Sequence, residues 1–172
     1  MNRSVLRPLF SAVGLLLAAG CSHYQLGTGA ARPAFATLYV APVETTVLLP
    51  QSRALLTTQI RETFARDARV TLADSPEAAD ATLRIVIHDY HREVAAVREG
   101  DTGLARKFAL TLAADCTLRD NRAARLLFER RPITVRRDSF TDNGQLQSEY
   151  QALPLLAAAL AEKIIHATLD VW

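Results

Sequence analysis

The chain is poor in the residues that staple a small domain or stack against a ligand. Among 172 residues there are two cysteines, one tryptophan and one methionine, and aromatic residues make up 6%. Two cysteines, Cys21 and Cys116, do not make a disulfide framework. The scarcity of aromatics excludes a stacking platform for single-stranded nucleic acid. There is no glycine-rich phosphate loop, no serine nucleophile elbow and no metalloprotease helix. Paired carboxylates of the kind used in acid–base chemistry are also missing. The residues therefore point away from an enzyme, and no cofactor is expected. No internal repeat or low-complexity run is present. One metal-like cluster occurs, His88-Asp89-Tyr90-His91. Two histidines and a carboxylate suit zinc, but strict alternation along a strand sends His88 and His91 to opposite faces, unless a bulge intervenes. A third ligand is also lacking, so no metal is expected.

The first residues read as an export signal. Arg3 and Arg7 give a positive start, Leu9 to Ala19 is apolar and uncharged, and Ala18-Ala19-Gly20 are small. The apolar run is shorter than the ~20 residues that span a bilayer as a helix. It fits a signal peptide, residues 1–20, which is removed. Cys21 follows the small residues directly and marks a lipoprotein signal, in which the thiol carries the lipid (palmitate among its acyl chains). The position three before Cys21 is Ala18, where leucine is usual. Ser22, rather than aspartate, follows the cysteine and points to the outer membrane, with the domain on its periplasmic side. Cys116 then has no intrachain partner and is expected to be a small buried hydrophobe.

After cleavage 152 residues remain, enough for one domain with a core. Residues 21–36 form a lipidated tether, and 37–172 the domain. Thr37 to Val43 reads as a strand, with Pro42 at its end or edge. Ser52 is a candidate N-cap, and Leu55, Leu56, Ile60 and Phe64 recur at helical spacing over 53–66. Val70 to Ala73 is a short extended piece. Ala81 to Val94 alternates as a strand, with Leu83, Ile85 and Ile87 on one face. Gly100 to Gly103 makes a hairpin turn. Phe108, Leu110, Leu112, Ala114, Cys116 and Leu118 then face the core, while Ala109, Thr111, Ala113, Asp115 and Thr117 face away. Asp120-Asn121 starts a second turn, and Arg125 to Arg137 is a fourth strand whose Pro132 marks a bulge or an edge. Asp142-Asn143-Gly144 breaks the chain. A last helix begins near Pro154, with Leu156, Leu160, Ile164, Ala167 and Val171 as its buried stripe; Leu155 to Leu160 suits a core helix more than a membrane contact. The order β-α-β-β-β-α predicts an α+β fold of two layers, two helices packed on a mixed four-stranded sheet.

Charge is balanced overall and unbalanced locally. Residues 84–137 hold 12 basic and 7 acidic side chains, against 6 and 11 in the rest of the mature chain. Such asymmetry suggests an anionic partner for the middle of the chain. Arg130, Arg131, Arg136 and Arg137, in a run that begins at Arg122 and Arg125, make a candidate interface with another protein or an anionic lipid; a salt-bridged outer sheet face is the alternative. Export excludes nucleic acid.

Taken together, Cys21-Ser22-His23-Tyr24-Gln25-Leu26, Leu38-Tyr39-Val40-Ala41-Pro42-Val43 leading into a helix with Leu56, Thr57 and Ile60, Ala79-Asp80-Ala81-Thr82-Leu83, and the hairpin from Arg98 to Lys107 resemble the LptE family. The likeness runs over most of residues 21–170. It implies two helices on a four-stranded sheet and no enzymatic activity. It also implies a place as plug inside a large outer-membrane β-barrel, LptD, and contact with lipopolysaccharide on its way to the outer leaflet. Arg98 matches the family's basic residue before the hairpin turn; Arg106 and Lys107 flank the same turn. Arginine can clasp lipid A phosphates through paired hydrogen bonds. A second basic position before the last helix is missing, since residues 141–152 contain no Lys or Arg. The competing expectation is a lipoprotein that activates a cell-wall synthase. Such proteins need a long linker. The fifteen residues between Cys21 and the first strand reach only ~50 Å when extended, which favours work close to the membrane.

Overall fold

The computed structural model describes residues 33–49, 52–97, 105–140 and 145–170. Its elements are β1 (Thr37–Val40), β2 (Glu44–Thr45), α1 (Ser52–Ala65), β3 (Thr71–Leu72), β4 (Ala81–Val97), β5 (Ala105–Asp120), β6 (Arg125–Phe140) and α2 (Gln145–Leu169). The α+β class and the two helices agree with the sequence. The sheet has six strands rather than four, in the order β3-β1-β4-β5-β6, with β2 also on β4. β1 runs parallel to β3 and β4; β4, β5 and β6 form an antiparallel meander.

The first strand is split at its proline. Leu38 and Val40 point into the core and are fully buried. Pro42 cannot donate to a ladder, so pairing with β4 stops at Val40 and resumes at Glu44 with the register shifted by one. The polar groups left without strand partners are taken up by α1. Arg61 and Arg53 donate to the carbonyls of Val40 and Val43 at 3.2 and 3.3 Å, and the Val43 N–H donates to the Thr57 hydroxyl at 3.0 Å. The second short strand, β2, escaped the sequence because Glu44-Thr45 has no apolar alternation.

Helix α1 buries Leu56, Ile60 and Phe64, as its spacing predicts. Ser52 opens it, but its hydroxyl donates back to the Leu49 carbonyl at 2.8 Å rather than capping a helical N–H. Helix α2 starts at Gln145, nine residues before the expected start, and runs through Pro154. Proline in a helix interior removes one hydrogen bond and favours a break. Tertiary contacts hold the early turns here: Glu149 accepts from Arg92 at 3.0 Å and from the Tyr90 hydroxyl. Leu156, Leu160 and Ile164 are fully buried and Ala167 partly so; Val171 lies outside the described residues. The window Glu149–Leu169 is long and apolar enough to cross a membrane, yet half of it is buried against the domain. It is the core helix here. Leu155 alone of its apolar run is largely exposed.

β5 is covered on both faces. Leu110, Leu112, Ala114, Cys116 and Leu118 lie under the helices. Ala109, Thr111 and Ala113 do face the other way, but they are buried rather than exposed. Their small side chains lie between β4 and β6, whose long side chains meet above them, as in the Glu93–Arg136 pair at 3.3 Å.

One corner ties the sheet together at the end away from the β4–β5 turn. The Asp80 carboxylate accepts the N–H groups of Ala36 and Thr37 at 3.0 and 3.1 Å. Asn121 donates from its side chain to the carbonyls of Pro76 and Ala79, both at 2.9 Å, and from its backbone to Asp80. Burial by itself pushes the Asp80 carboxyl up, but the two amides and Arg122 outweigh it and hold the group below the usual carboxylate range. Asp80→Ala should therefore cost about 1–3 kcal/mol, since two strand donors lose their acceptor. A lowered folded-state pKa contributes stability above the unfolded value, near ~3.9 for aspartate, and loses it as pH falls through the folded value. In urea titrations from pH 7 downward, the gap between wild type and Asp80→Asn should be constant to roughly pH 5 and close below roughly pH 4.

Candidate interaction surface

The expected site residues fall into three groups. Cys21 and Arg98 lie outside the described residues, and of Arg106 only the backbone, within β5, is described. Lys107 sits near the distal end of β5. Its ammonium pairs with Asp138 at 2.7 Å and lies 5.8 Å from the centre of the Phe140 ring. Arg92 and Phe108 stack close by on the helix side of the sheet, 5.2 Å apart. Val94, Phe140 and Tyr150 are exposed at this same end. Basic groups and uncovered apolar side chains thus share the distal end of the long hairpin.

A one-residue bulge between Ile87 and Asp89 changes what β4 shows. Before it, Leu83, Ile85 and Ile87 face the helices. After it, Tyr90, Arg92 and Val94 do, because an inserted residue reverses the parity of everything beyond. His88 and His91 consequently share the outer face, contrary to the regular-strand expectation. His88 stands 3.5 Å from Asp115, and His91 lies 2.8 Å from Asp89 and 3.6 Å from Glu93. Among the described residues no group of three or more His, Cys, Asp or Glu is placed to hold a metal ion.

The four candidate arginines of β6 divide between faces. Arg130 and Arg136 are on the outer face; Arg130 binds Asp115 at 3.1 Å. Arg131 is on the helix face, lies 4.0 Å from the Phe128 ring centre and donates to the Ala167 carbonyl near the end of α2. Arg137 is on the helix face and exposed. Strand alternation makes this split; the shift of register between Cys116 and Leu118, with Arg130 at φ 43°, puts Arg131 on the same helix face as Phe128, three residues earlier. The sequence had signalled only Pro132.

An open cavity of about 710 Å³ lies at the opposite end, beside Pro33–Ala36, Arg69, Asp80 and Arg122. Its cations are already engaged, Arg69 by Asp67 and Asp170 and Arg122 by Asp80. Cys116 is fully buried, and burial, with Asp115 adding, pushes its thiol up to about 12.

The fold recurs in solved bacterial lipoproteins. Lipoprotein B from Nitrosomonas europaea is 15% identical, with a TM-score of 0.53, over 80% of this chain and 82% of that one. A minor lipoprotein from Acinetobacter baumannii is 17% identical, with a TM-score of 0.52, over 79% and 92%. A Xanthomonas campestris protein is 16% identical, with a TM-score of 0.59, over 81% and 87%. No curated protein matches. The family model for LptE, described as lipopolysaccharide-assembly, matches residues 35–168. The chain belongs to the LptE family.

Cys116 offers a check on the core. With its thiolate suppressed, it should resist maleimide at pH 8 in the native protein and react stoichiometrically in denaturant. Labelling of the native protein within minutes, read by mass spectrometry, would contradict the burial described.

Proposed function

We propose that this chain is a lipoprotein of the outer membrane, anchored at Cys21 on the periplasmic side, that acts with an LptD-like β-barrel as plug in lipopolysaccharide assembly. The observation that carries this reading is the match to the lipopolysaccharide-assembly family across residues 35–168. The distal hairpin adds physical support. An amphiphile with phosphate headgroups and acyl chains calls for cations beside uncovered apolar groups, and that end has Lys107 and Arg92 next to Val94, Phe140 and Tyr150. In this reading Arg98, Arg106 and Lys107 contact the lipopolysaccharide. Arg130, Arg136 and Arg137 meet the partner protein; Arg131, whose guanidinium is used at the end of α2, braces the same strand from within.

Affinity purification of the lipidated chain from detergent-solubilised outer membranes tests the partnership. A stoichiometric large β-barrel is the expected result. A cell-wall synthase without a barrel would sink it. Lys107→Glu should weaken binding of purified lipopolysaccharide by about tenfold, a loss of about 1.4 kcal/mol, with the thermal midpoint little changed.

A further inference from the structure

β6 ends the sheet, and among the described residues no strand pairs on its far side. Two observations show which of its backbone groups point outward. The Thr134 carbonyl accepts a hydrogen bond from Lys163 Nζ at 2.7 Å, so it points away from β5. Pro132 is two residues earlier, and proline is tolerated in a sheet where its nitrogen faces off the edge. Antiparallel pairs alternate between bonded and non-bonded positions. From Pro132 to Phe140 the register with β5 runs without a shift. Arg136 and Asp138 share the parity of Thr134, so their N–H and C=O groups also face outward. Ile133, Val135 and Arg137 spend theirs on β5.

Such an edge is a template for another strand unless it is blunted. Below Pro132 it is blunted twice, by the missing proline donor and by the bulge at Arg130. Beyond Thr134 no strand among the described residues pairs with it, and Arg136, Arg137 and Asp138 are exposed there. Its charge is one-sided. Of the five arginines of β6, Arg125, Arg130 and Arg136 pair with Asp120, Asp115 and Glu93 on other strands and Asp138 pairs with Lys107, while Arg137 is exposed beside the edge and pairs with no carboxylate among the described residues, so the edge keeps a net positive charge. Two copies of this edge would repel each other, whereas an acidic chain would be attracted.

We propose that Thr134 to Phe140 of β6 is a strand-addition site for an extended acidic segment of a partner protein. The added strand bonds to the outward groups of Arg136 and Asp138. Carboxylates on alternate residues lie over Arg136 on one face or Arg137 on the other. This deepens the interface reading above and rests on it for the role of the arginines.

The test uses the full lipidated chain in detergent micelles and a capped octapeptide of alternating glutamate and valine. Amide exchange followed by NMR should slow at Arg136 and Asp138 by at least about tenfold on peptide addition. Val135 and Arg137, already in the ladder, should change little. A lysine–valine octapeptide should not bind. Asp138→Pro removes one outward donor and spares the β5 ladder, and should weaken binding by about tenfold or more. Should that variant fail to fold, the glutamate–valine peptide N-methylated at alternate residues tests the same bonds from the other side and should not bind. No binding of the glutamate–valine peptide overturns the proposal. So does binding that survives N-methylation but is lost in Arg136→Glu, which would make the edge a plain charged surface. Neither result touches recovery of the barrel, so the two readings fail separately.

Discussion

The architecture depends on β5 being filled on both faces. It is the strand through which the parallel half of the sheet, reached across β4, is joined to β6. A strand in that position must present apolar side chains to the helices and cannot leave a void on its other side. The helix face has Leu110, Leu112, Ala114, Cys116 and Leu118. The outer face has Ala109, Thr111 and Ala113, small enough for Glu93 and Arg136 to meet above them. Larger side chains at the alanines would push the flanking ion pairs apart. An apolar outer face would instead leave the long hairpin exposed on a broad greasy surface. The ion pairs are exposed and contribute little stability individually; what they supply is cover for β5.

Bulges then decide which chemistry each face shows. One extra residue at His88 turns Tyr90 and Arg92 under the first turns of α2, where Glu149 receives both. Those bonds hold the early turns of α2, ahead of Pro154, against the distal half of β4. A second irregularity, at Arg130, puts Phe128 and Arg131 on one face, where the guanidinium stacks on the ring. Without the slip at His88 the two histidines would be on opposite faces.

The ends of the molecule are built for different demands. The Asp80–Asn121 corner gathers backbone donors and acceptors from three segments, Ala36–Thr37, Pro76–Asp80 and Asn121, and uses up its own charges, which suits a fixed base. The distal end pairs Lys107 with Asp138 and Arg92 with Glu149 as well, but leaves Val94, Phe140 and Tyr150 exposed beside them, where a partner can reach. The free edge of β6 lies along the same distal half. In the proposed role within a lipopolysaccharide-assembly family, surfaces of this kind carry the work.

Much of this was legible in the sequence alone. Periodicity located α1, the three long strands and the core stripe of α2, because burial on one face imposes spacing that side chains cannot disguise. The order of motifs was enough to indicate the family. What the sequence could not determine was anything set by non-local pairing. β2 is too short to have a pattern. α2 begins early because of a carboxylate contact to residues more than fifty positions away in the chain. Burial of Ala109 and Ala113 comes from neighbours on other strands. The facing of His88, His91 and the β6 arginines depends on where one strand slips past another, and a slip of one residue leaves no trace in composition. Which edge of the sheet stays open is likewise a property of the strand order, and only the tertiary structure decided it.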